Sequence, residues 1–538
     1  YIHTNQSPFL VSGLRMDTIP FRNFYVLTPG EPSLKPVLLD YTTTFYKGEL
    51  YNKDKVDQTY RRFSNLQVFQ SVNIQLEATT DSTQNRFNTL DTHIYLQPSK
   101  KQTLSVDPKL THRDGALGVY GNLVYMNKNL FRGAERLEIR NILGFEAAQS
   151  LTQEDINQGS ADQVSRNLRL NTFEIGPEVV IRIPRIFPLS LDRFKRSNDP
   201  QTSISALLNY QGRPDYERTL SRFTYGNSMV ENPDHGSRGF VDWAEISVIK
   251  IKKSPEFEQF ITDLNDAFLA NSYRDHLISA SRIGWIVNTQ RSSSQLKYMY
   301  FRAYLEGAGN LLYLIHKETE QPKDDFGSYE IAGIRFAQYW KAETDVRFYK
   351  VINPQNSLAS RFNAGWGIPQ NNLPTLPFEK SFFSGGANSI RAWQARTLGP
   401  GSYRDTTALR TYNNIGEIKL EFNFEYRFKL TEMFHGAWFV DMGNIWLQKP
   451  DPLRPGSDFN SREWLSEVAI GSGLGVRLDF EFFLVRFDFG TQIKDPSKVR
   501  GERWVWEPKT QYDEFLENIG TTRRLLDVTF NLGIGYPF

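Results

Sequence analysis

The sequence predicts a mainly β fold: an antiparallel β-barrel that spans a membrane, preceded by a small α+β domain. Three observations support this prediction. Apolar and polar residues alternate strictly in several segments, including the final one. Aromatic residues make up 14% of the 538 residues, although the mean hydropathy is only −0.48. No segment approaches the ~18 consecutive apolar residues of a membrane-spanning helix.

The composition restricts the possible functions. Lysine and arginine number 63 against 61 acidic residues, a net charge of +2, whereas nucleic-acid-binding proteins usually carry a basic excess. The absence of cysteine excludes disulfides, thiolate metal sites and cysteine nucleophiles. A membrane barrel reconciles low hydropathy with many aromatic residues, because lipid-facing residues alternate with polar lumenal ones. A soluble protein would have to bury those aromatic residues in large cores.

The N-terminal segment has the pattern of a small water-soluble domain. We predict a strand over 21–27, a helix over 52–67, and two further strands over 71–78 and 88–96. Asn52 is suited to cap the helix. Apolar residues recur along that helix at spacings of four and three, at Val56, Tyr60 and Phe63, as on one face of a helix.

These elements divide the chain into three parts. We predict a linker or the end of a preceding domain over 1–17, the small domain over 18–106 and the barrel over 107–538. A signal peptide, further upstream domains or a lipid anchor would lie outside this numbering.

The final strand shows the alternation most clearly. Between 526 and 538 every even position is apolar, and the odd positions are polar, glycine or proline. Side chains on a strand alternate between two faces, so one face is apolar throughout. The same alternation, with charges opposite large apolar residues, occurs at 341–348, 420–430, 476–480 and 485–489. A soluble amphipathic sheet is the alternative for any one segment, but the repeated charged faces favour a barrel with a wet lumen.

The barrel region has room for long connections. Sixteen strands would leave roughly 27 residues for each strand with its connection, and twelve or fourteen strands would need longer connections still. One insert at 255–271 departs from the strand pattern, with apolar residues at helical spacing. We interpret it as a loop helix that packs on the barrel rim rather than as a separate binding element.

Two motifs carry a resemblance to a known family. Residues 382–393 have the sequence FFSGGANSIRAW, followed by LGPG at 398–401, and residues 439–446 have the sequence FVDMGNIW. Together they resemble the BamA/TamA superfamily of outer-membrane insertases and polypeptide transporters. In that family a GG-x-x-S-[VI]-R-G-[FY] segment lies in the sixth extracellular loop, which folds back into the lumen. The resemblance thus implies a lumenal loop anchor formed by Gly385, Gly386, Arg391 and Trp393.

The motif departs from the family at one position. The family's R-G-[FY] is here Arg391-Ala392-Trp393. Because alanine tolerates a positive φ less well than glycine, we expect the backbone to differ there. This variant, with LGPG behind it, most resembles the TamA-like lipoprotein branch called TamL.

Other segments extend the resemblance over most of the chain. Residues 52–96 resemble a POTRA domain, residues 129–134 resemble the family's first-hairpin signature, and Phe538 resembles its C-terminal insertion signal. The resemblance implies a sixteen-stranded antiparallel barrel in the bacterial outer membrane, with a POTRA domain in the periplasm.

Arg391 needs carboxylate partners if its loop enters the lumen, because a buried guanidinium is costly without them. Glu425 and Asp441 lie on the lumenal parity of their strands, and either could receive a bidentate arginine. The resemblance pairs Arg391 with Asp441, Glu425 or both, with Gly443 in the same motif. The alternative is an exposed loop arginine near unrelated lumenal charges.

The barrel seam is predicted between the first and last strands. Gly533 and Gly535 reduce side-chain packing in the last strand, and Pro537 cannot donate a ladder hydrogen bond. Tyr536 and Phe538 complete the C-terminal signal. A weak seam that opens would template client strands, while the POTRA domain offers a sheet edge by β-augmentation.

The predicted function is therefore the insertion or export of polypeptides. The alternatives are a two-partner-secretion-type transporter that passes unfolded substrate through the lumen, and a passive porin or barrel enzyme. Enzyme motifs such as G-x-x-x-x-G-K-[ST], H-E-x-x-H and G-x-S-x-G do not occur. We expect no catalytic residue, cofactor, metal or nucleic acid. The expected partners are outer-membrane lipid and lipopolysaccharide, client polypeptides and a TamB-like periplasm-spanning protein.

Overall fold

A computed structural model describes the chain except for residues 5–15, 80–88, 114–115, 148–171, 190–198, 233–235, 265–269, 272, 293–294, 405–413, 481–483 and 507–527. The described residues form a small N-terminal sheet with two helices and a large closed barrel. No helix among them is long and apolar enough to cross a membrane.

The N-terminal domain is a five-stranded sheet in the order β2-β3-β1-β5-β4. Its strands are β1 (Ile2–Thr4), β2 (Asp17–Phe21), β3 (Phe24–Thr28), β4 (Phe69–Thr79) and β5 (Thr89–Pro98), and its helices are α1 (Pro36–Thr42) and α2 (Lys53–Asn65). The Asn52 side chain caps α2 by accepting a hydrogen bond from the Asp54 backbone N–H at 2.8 Å. Phe63 is fully buried in the core, whereas Tyr60 is exposed.

The N-terminal boundaries differ from the predicted ones. The segment 1–17 contributes β1, which lies at the centre of the sheet and pairs in parallel with β3 and β5. A three-residue strand is too short for its alternation to be visible in the sequence. The predicted strand 21–27 is instead part of a hairpin that turns at Arg22, whose φ is +48°.

In the part of the chain that the structure describes, sixteen long strands close the barrel, as predicted, and two short strands join them at one rim. They are β6 (Gln102–Arg113), β7 (Ala116–Asn127), β8 (Arg136–Ala147), β9 (Thr172–Ile183), β10 (Gln201–Gly212), β11 (Tyr216–Asn232), β12 (Ser237–Lys253), β13 (His276–Asn288), β14 (Lys297–Ala308), the short β15 (Glu330–Ile331) and β16 (Ile334–Phe336), β17 (Tyr339–Asn353), β18 (Asn356–Pro369), β19 (Ile418–Lys429), β20 (Phe434–Trp446), β21 (Ala469–Asp479), β22 (Leu484–Lys494) and β23 (Val528–Ile534). The barrel begins at Gln102 rather than at the predicted 107.

The predicted alternation places side chains on two distinct faces. Large apolar residues face outward and are exposed, among them Phe422, Trp438, Leu474, Phe489 and Phe530. Charged residues face inward and are buried, among them Glu421, Glu425, Arg477 and Asp488. This is the distribution of a barrel with an apolar outer band and a polar lumen.

The two rims of the barrel differ. The proximal rim, where the N-terminal domain packs, includes the turns 128–135, 354–355 and 430–433. The distal rim carries long connections, including helix α3 (Pro255–Leu264) and helix α4 (Asn310–Glu318). The described part of the predicted 255–271 insert packs on this rim, because Phe257 and Ile261 are buried against Tyr216 and Tyr273.

The turn 128–135 docks the N-terminal domain onto the barrel. The Lys35 backbone N–H donates to the Arg132 carbonyl at 2.8 Å, and the Asn129 side chain donates to the Ser33 carbonyl at 2.8 Å. Ala134, at the end of the resembling hairpin segment, is buried in the core of the N-terminal domain. The turn therefore joins the two parts of the chain through both polar and apolar contacts.

We predict that Ala134→Leu loosens this docking. The larger side chain overpacks a filled core and should cost about 1–3 kcal/mol, measured as earlier proteolytic release of the N-terminal domain with increasing urea. Phe131→Leu is the matched control, because Phe131 lies in the same turn but is 61% exposed. Unchanged protease resistance of Ala134→Leu would contradict the docking role.

Candidate functional site

The connection between β18 and β19, residues 370–417, is called here the lumenal loop. Its glycine pair makes a tight turn: Gly385 and Gly386 have φ values of +99° and +95°, which favour glycine. The Gly386 N–H donates to the Trp393 carbonyl at 2.8 Å. A Cβ on Gly385 would lie 2.1 Å from the Gln394 carbonyl oxygen. The turn thereby presents residues 387–392 to the lumenal wall.

Arg391 lies in the lumen and is fully buried. Its Nε and Nη2 donate to the two oxygens of Asp441 on β20, at 2.8 and 2.9 Å. Its Nη1 donates to Glu425 Oε2 on β19 at 2.5 Å. The guanidinium also lies 3.6 Å from the centre of the Phe439 ring. Arg391 therefore contacts both carboxylates, and the pair with Asp441 is bidentate.

A wider ionic cluster surrounds this pair. Arg477 Nη2 lies 3.0 Å from Glu425 Oε2 and 3.2 Å from Asp488 Oδ1. Arg486 Nη1 lies 3.2 Å from Asp488 Oδ2, and Arg391 Nη1 lies 3.7 Å from the same oxygen. Three buried arginines thus alternate with three buried carboxylates. Charges buried in this way need their partners, because an unpaired one is costly.

The sequence prediction missed the outer members of this cluster. Arg477, Arg486 and Asp488 lie on the lumenal parity of two segments with clear alternation. The strands that carry them pair directly, with Arg477 opposite Arg486. Their parity signalled a lumenal position, but many other lumenal charges share that parity, so sequence alone could not select them.

The loop is also bonded to the last strand. Asn531 Nδ2 donates to the Arg391 carbonyl at 2.8 Å, and Thr529 Oγ1 donates to the Ala392 carbonyl at 2.9 Å. Both side chains project from the lumenal face of β23. The loop backbone therefore links β23 to the strands that hold Arg391.

Ala392 occupies the position at which the motif departs from the family. It is fully buried and does not adopt a positive φ. A Cβ added to Gly471 would lie 2.4 Å from the Ala392 Cβ, so the glycine on β21 makes room for the alanine. Trp393 is buried beside it with Ile390, Leu398 and Ala469.

Gly443 serves the strand rather than the arginine. A Cβ at this position would lie 2.3 Å from the Leu420 carbonyl oxygen on β19. The adjacent Asn444 holds the LGPG segment, because its Nδ2 donates to the Gly401 carbonyl at 2.8 Å.

The C-terminus differs from the predicted continuous strand. β23 ends at Ile534, and Gly535 turns the chain with a φ of +79°. Phe538 is buried rather than lipid-facing. Arg427 on β19 lies 4.0 Å from the Tyr536 ring and donates to the Phe538 carbonyl at 3.4 Å. The last four residues therefore turn inward at the proximal rim.

Gly533 also has a role other than the predicted loosening of the seam. A Cβ there would lie 2.5 Å from Arg486 Nη2. The absence of a side chain makes room for a member of the ionic cluster.

A second anchor, which the sequence prediction missed, holds the loop to the opposite wall. Lys380 Nζ lies 2.9 Å from Glu245 Oε1 on β12 and 2.8 Å from Glu306 Oε1 on β14. Glu379 lies 3.0 Å from His276 Nε2 and 2.9 Å from Arg218 Nη2. Burial alone would raise the pKa of Glu379, but His276 and Arg218 lower it to about 2. The loop thus crosses the lumen between two charged anchors.

The described residues contain no group of His, Asp or Glu side chains arranged to hold a metal ion. The chemistry that they offer is ion pairing and backbone hydrogen bonding.

Comparison with known proteins supports a common architecture. Residues 328–538 match the Omp85 superfamily domain. The chain is similar in structure to BamA from Haemophilus ducreyi lacking POTRA domains 1–3, with a TM-score of 0.56, 11% identity, and coverage of 90% of this chain and 87% of that one. It is also similar to CdiB from Acinetobacter baumannii, with a TM-score of 0.50, 13% identity, and coverage of 88% and 73%. The structural similarity shows a common β-barrel fold, and the domain match covers the strands of that barrel from β15 onward.

We predict that Arg391→Met strongly destabilises the barrel. The change leaves Asp441 without its cation and removes one of the cations that pair with Glu425, which should cost about 3–5 kcal/mol. Arg391→Lys should recover part of the loss, because lysine keeps the charge but not the bidentate geometry. The temperature at which the folded band disappears on semi-native gels measures the effect.

The matched control for Arg391 is Lys429→Met. Lys429 pairs with Glu432 on the surface, and such pairs contribute about 0–1 kcal/mol. Equal thermal stability of Arg391→Met and Lys429→Met would refute the structural importance of the buried cluster.

We predict that Lys380→Met destabilises the barrel independently of Arg391→Met. It leaves buried Glu306 without its cation and buried Glu245 with only the more distant Arg222, at 3.9 Å, at a cost of about 3 kcal/mol or more. The two anchors use different strands, so the double variant should equal the sum of the single ones within about 0.5 kcal/mol. Urea unfolding in detergent measures the three values. A larger coupling energy would mean that the two anchors act as one unit.

Proposed function

We propose that this protein assembles polypeptides in the bacterial outer membrane, inserting client strands through an opening between β6 and β23. The Omp85 superfamily domain over 328–538 supports this proposal. The single observation that carries it is the attachment of the lumenal loop to the last strand through Thr529 and Asn531. That attachment connects the lumen to one side of the seam.

The ion pairs and hydrogen bonds that hold the lumenal loop are unevenly distributed around the barrel, and this suggests which wall moves. The ion pairs and hydrogen bonds described above tie the loop to strands between β11 and β23. On the other side of the seam, every residue of β6 from Gln102 to Pro108 is exposed, including those on the lumenal face. We infer that β23 stays with the braced wall while the strands that follow β6 swing away.

The two seam strands suit such an opening. β23 ends at Ile534, because Gly535 turns the chain there. Pro108 lies within β6 and cannot donate a ladder hydrogen bond. A client strand would pair with the exposed edge, and its own folding would supply the free energy, so the mechanism needs no nucleotide.

We further propose that the N-terminal domain is a POTRA domain located in the periplasm. Its sheet has the edge strands β2 and β4, and the eleven-residue β4 is long enough to accept a client or partner strand by β-augmentation. A TamB-like periplasm-spanning protein is one such partner. The Arg391-Ala392-Trp393 variant supports assignment to the TamL branch.

A two-partner-secretion-type transporter is the competing proposal, and it makes the opposite demand on the loop. Passage of a polypeptide through the lumen would require the lumenal loop to leave its anchors. Lateral insertion would require the loop to remain, because it holds β23. Variants that weaken the loop should therefore reduce insertion if the barrel opens laterally, and increase translocation if substrate passes through the lumen.

We predict that Thr529→Val with Asn531→Leu slows client insertion severalfold without raising membrane conductance. These changes remove two loop contacts, each contributing about 0.5–1.5 kcal/mol, and leave the ionic cluster intact. The assay follows an unfolded barrel protein as it becomes protease-resistant in liposomes that contain the purified protein. Ion conductance of the same liposomes reports on the lumen.

Ser472→Ala is the matched control, because the Ser472 hydroxyl donates to the Phe439 carbonyl at 2.9 Å without contacting the loop. It should insert clients at the wild-type rate. No acceleration by the wild-type protein over empty liposomes would overturn autonomous insertion. Faster delivery of a soluble polypeptide into the vesicle interior by the double variant would favour the secretion pore.

A further inference from the structure

Helix α4 lies on the outer surface of the barrel at the distal rim. The chain leaves the barrel wall after β14, and β16 takes its place beside β13, with Phe336 paired to Leu277. Paired residues share one face of a sheet, and Leu277 has the outward parity of Ile283 and Trp285, both of which are exposed. Phe336 therefore points outward.

Phe336 is nevertheless fully buried, because α4 covers it. The His316 ring on α4 lies 5.4 Å from the Phe336 ring. Tyr313 and His316 also contact the Tyr329 ring, at 5.3 and 5.7 Å. One face of α4 thus packs against the outside of the wall.

The opposite face of α4 is apolar and exposed. Leu311, Leu314 and Ile315 are 68%, 54% and 48% exposed, and their spacing of three and four places them on one side of the helix. Near the ends of β14 and β17, the strands that this connection joins, the outward-facing Leu305 and Trp340 are also exposed. The apolar face of α4 therefore continues the apolar outer surface of the barrel.

We propose that α4 is an interfacial helix whose Leu311-Leu314-Ile315 face inserts among the lipid acyl chains of the distal leaflet. An amphipathic helix at this depth buries its apolar side at the boundary between headgroups and chains. Trp340 lies where aromatic residues of membrane proteins meet the headgroup region. Glu318 lies on the same side of the helix, one turn beyond Leu314, and this end of the helix would lie at the level of the headgroups.

The lipid contact of α4 would also affect the part of the barrel wall that carries this helix. Counting the long strands from the seam, β6 is the first and β23 the sixteenth, and α4 joins the ninth to the tenth, β14 to β17. The helix fixes the depth of the wall that lies opposite the seam. This consequence rests on the proposed lateral opening, whereas the lipid contact itself does not.

The absence of cysteine allows a test with a single label. Leu314→Cys carries an environment-sensitive fluorophore, and the full-length protein is placed in phosphatidylcholine–phosphatidylglycerol vesicles with nitroxides either near the headgroup or deep in the acyl chain. We expect blue-shifted emission and a loss of fluorescence that is greatest with the shallow nitroxide. Leu311→Cys should behave in the same way.

Two reference sites bracket the result. Leu474→Cys lies midway along outward-facing β21 and should be quenched most by the deep nitroxide. Asp325→Cys lies in the same connection as α4, is exposed and should show neither effect.

Behaviour of Leu314→Cys like that of Asp325→Cys would overturn the proposal. A blue shift without quenching would mean that a protein surface covers the helix, and would overturn it as well. No client is present in this experiment, so its failure is distinguishable from failure of the insertion proposal.

Discussion

The neutralisation of Arg391 inside the lumen is the constraint on which the rest of the structure depends. A guanidinium at this depth requires carboxylates at fixed positions, and those carboxylates come from three different strands, β19, β20 and β22. The register between these strands must therefore be held to within a single residue, since a slip by one would turn each carboxylate toward the outer face. Glycines at 471, 490 and 533 leave space for the loop and for the arginine side chains. The positions of these glycines and of the charged residues therefore depend on each other.

The second anchor, at Lys380, attaches the loop to the opposite wall of the barrel as well. With one anchor the loop would be a plug that could move on a tether. With charged contacts on β11–β14 and on β19–β22, it is a strap across the lumen. A strap braces the two walls against each other and leaves strands β6–β9 outside its span. The asymmetry of the barrel thus originates in where the buried charges lie.

Much of this could be predicted from the sequence, for reasons that also explain the limits. Alternation with period two predicted the strands. Parity, together with the family motif, predicted Glu425 and Asp441 as candidate partners of Arg391. Neither period nor parity states which distant strands a loop touches, so Lys380 with Glu245 and Glu306 was missed. The inward turn at Gly535 was missed because Tyr536 and Phe538 keep the apolar parity of the strand. β1 was missed because three residues show no period.

The relative strengths of the contacts indicate how β23 can act at a seam without releasing the loop. The loop is joined to β23 by two neutral side-chain hydrogen bonds, each contributing about 0.5–1.5 kcal/mol. It is joined to β19, β20 and β22 by buried ion pairs whose disruption costs about 3–5 kcal/mol. Any displacement at the seam therefore disturbs the β23 contacts well before the arginine cluster. The cluster holds the loop in place, so in the proposed opening the loop and β23 stay with the braced wall while the β6 edge moves away.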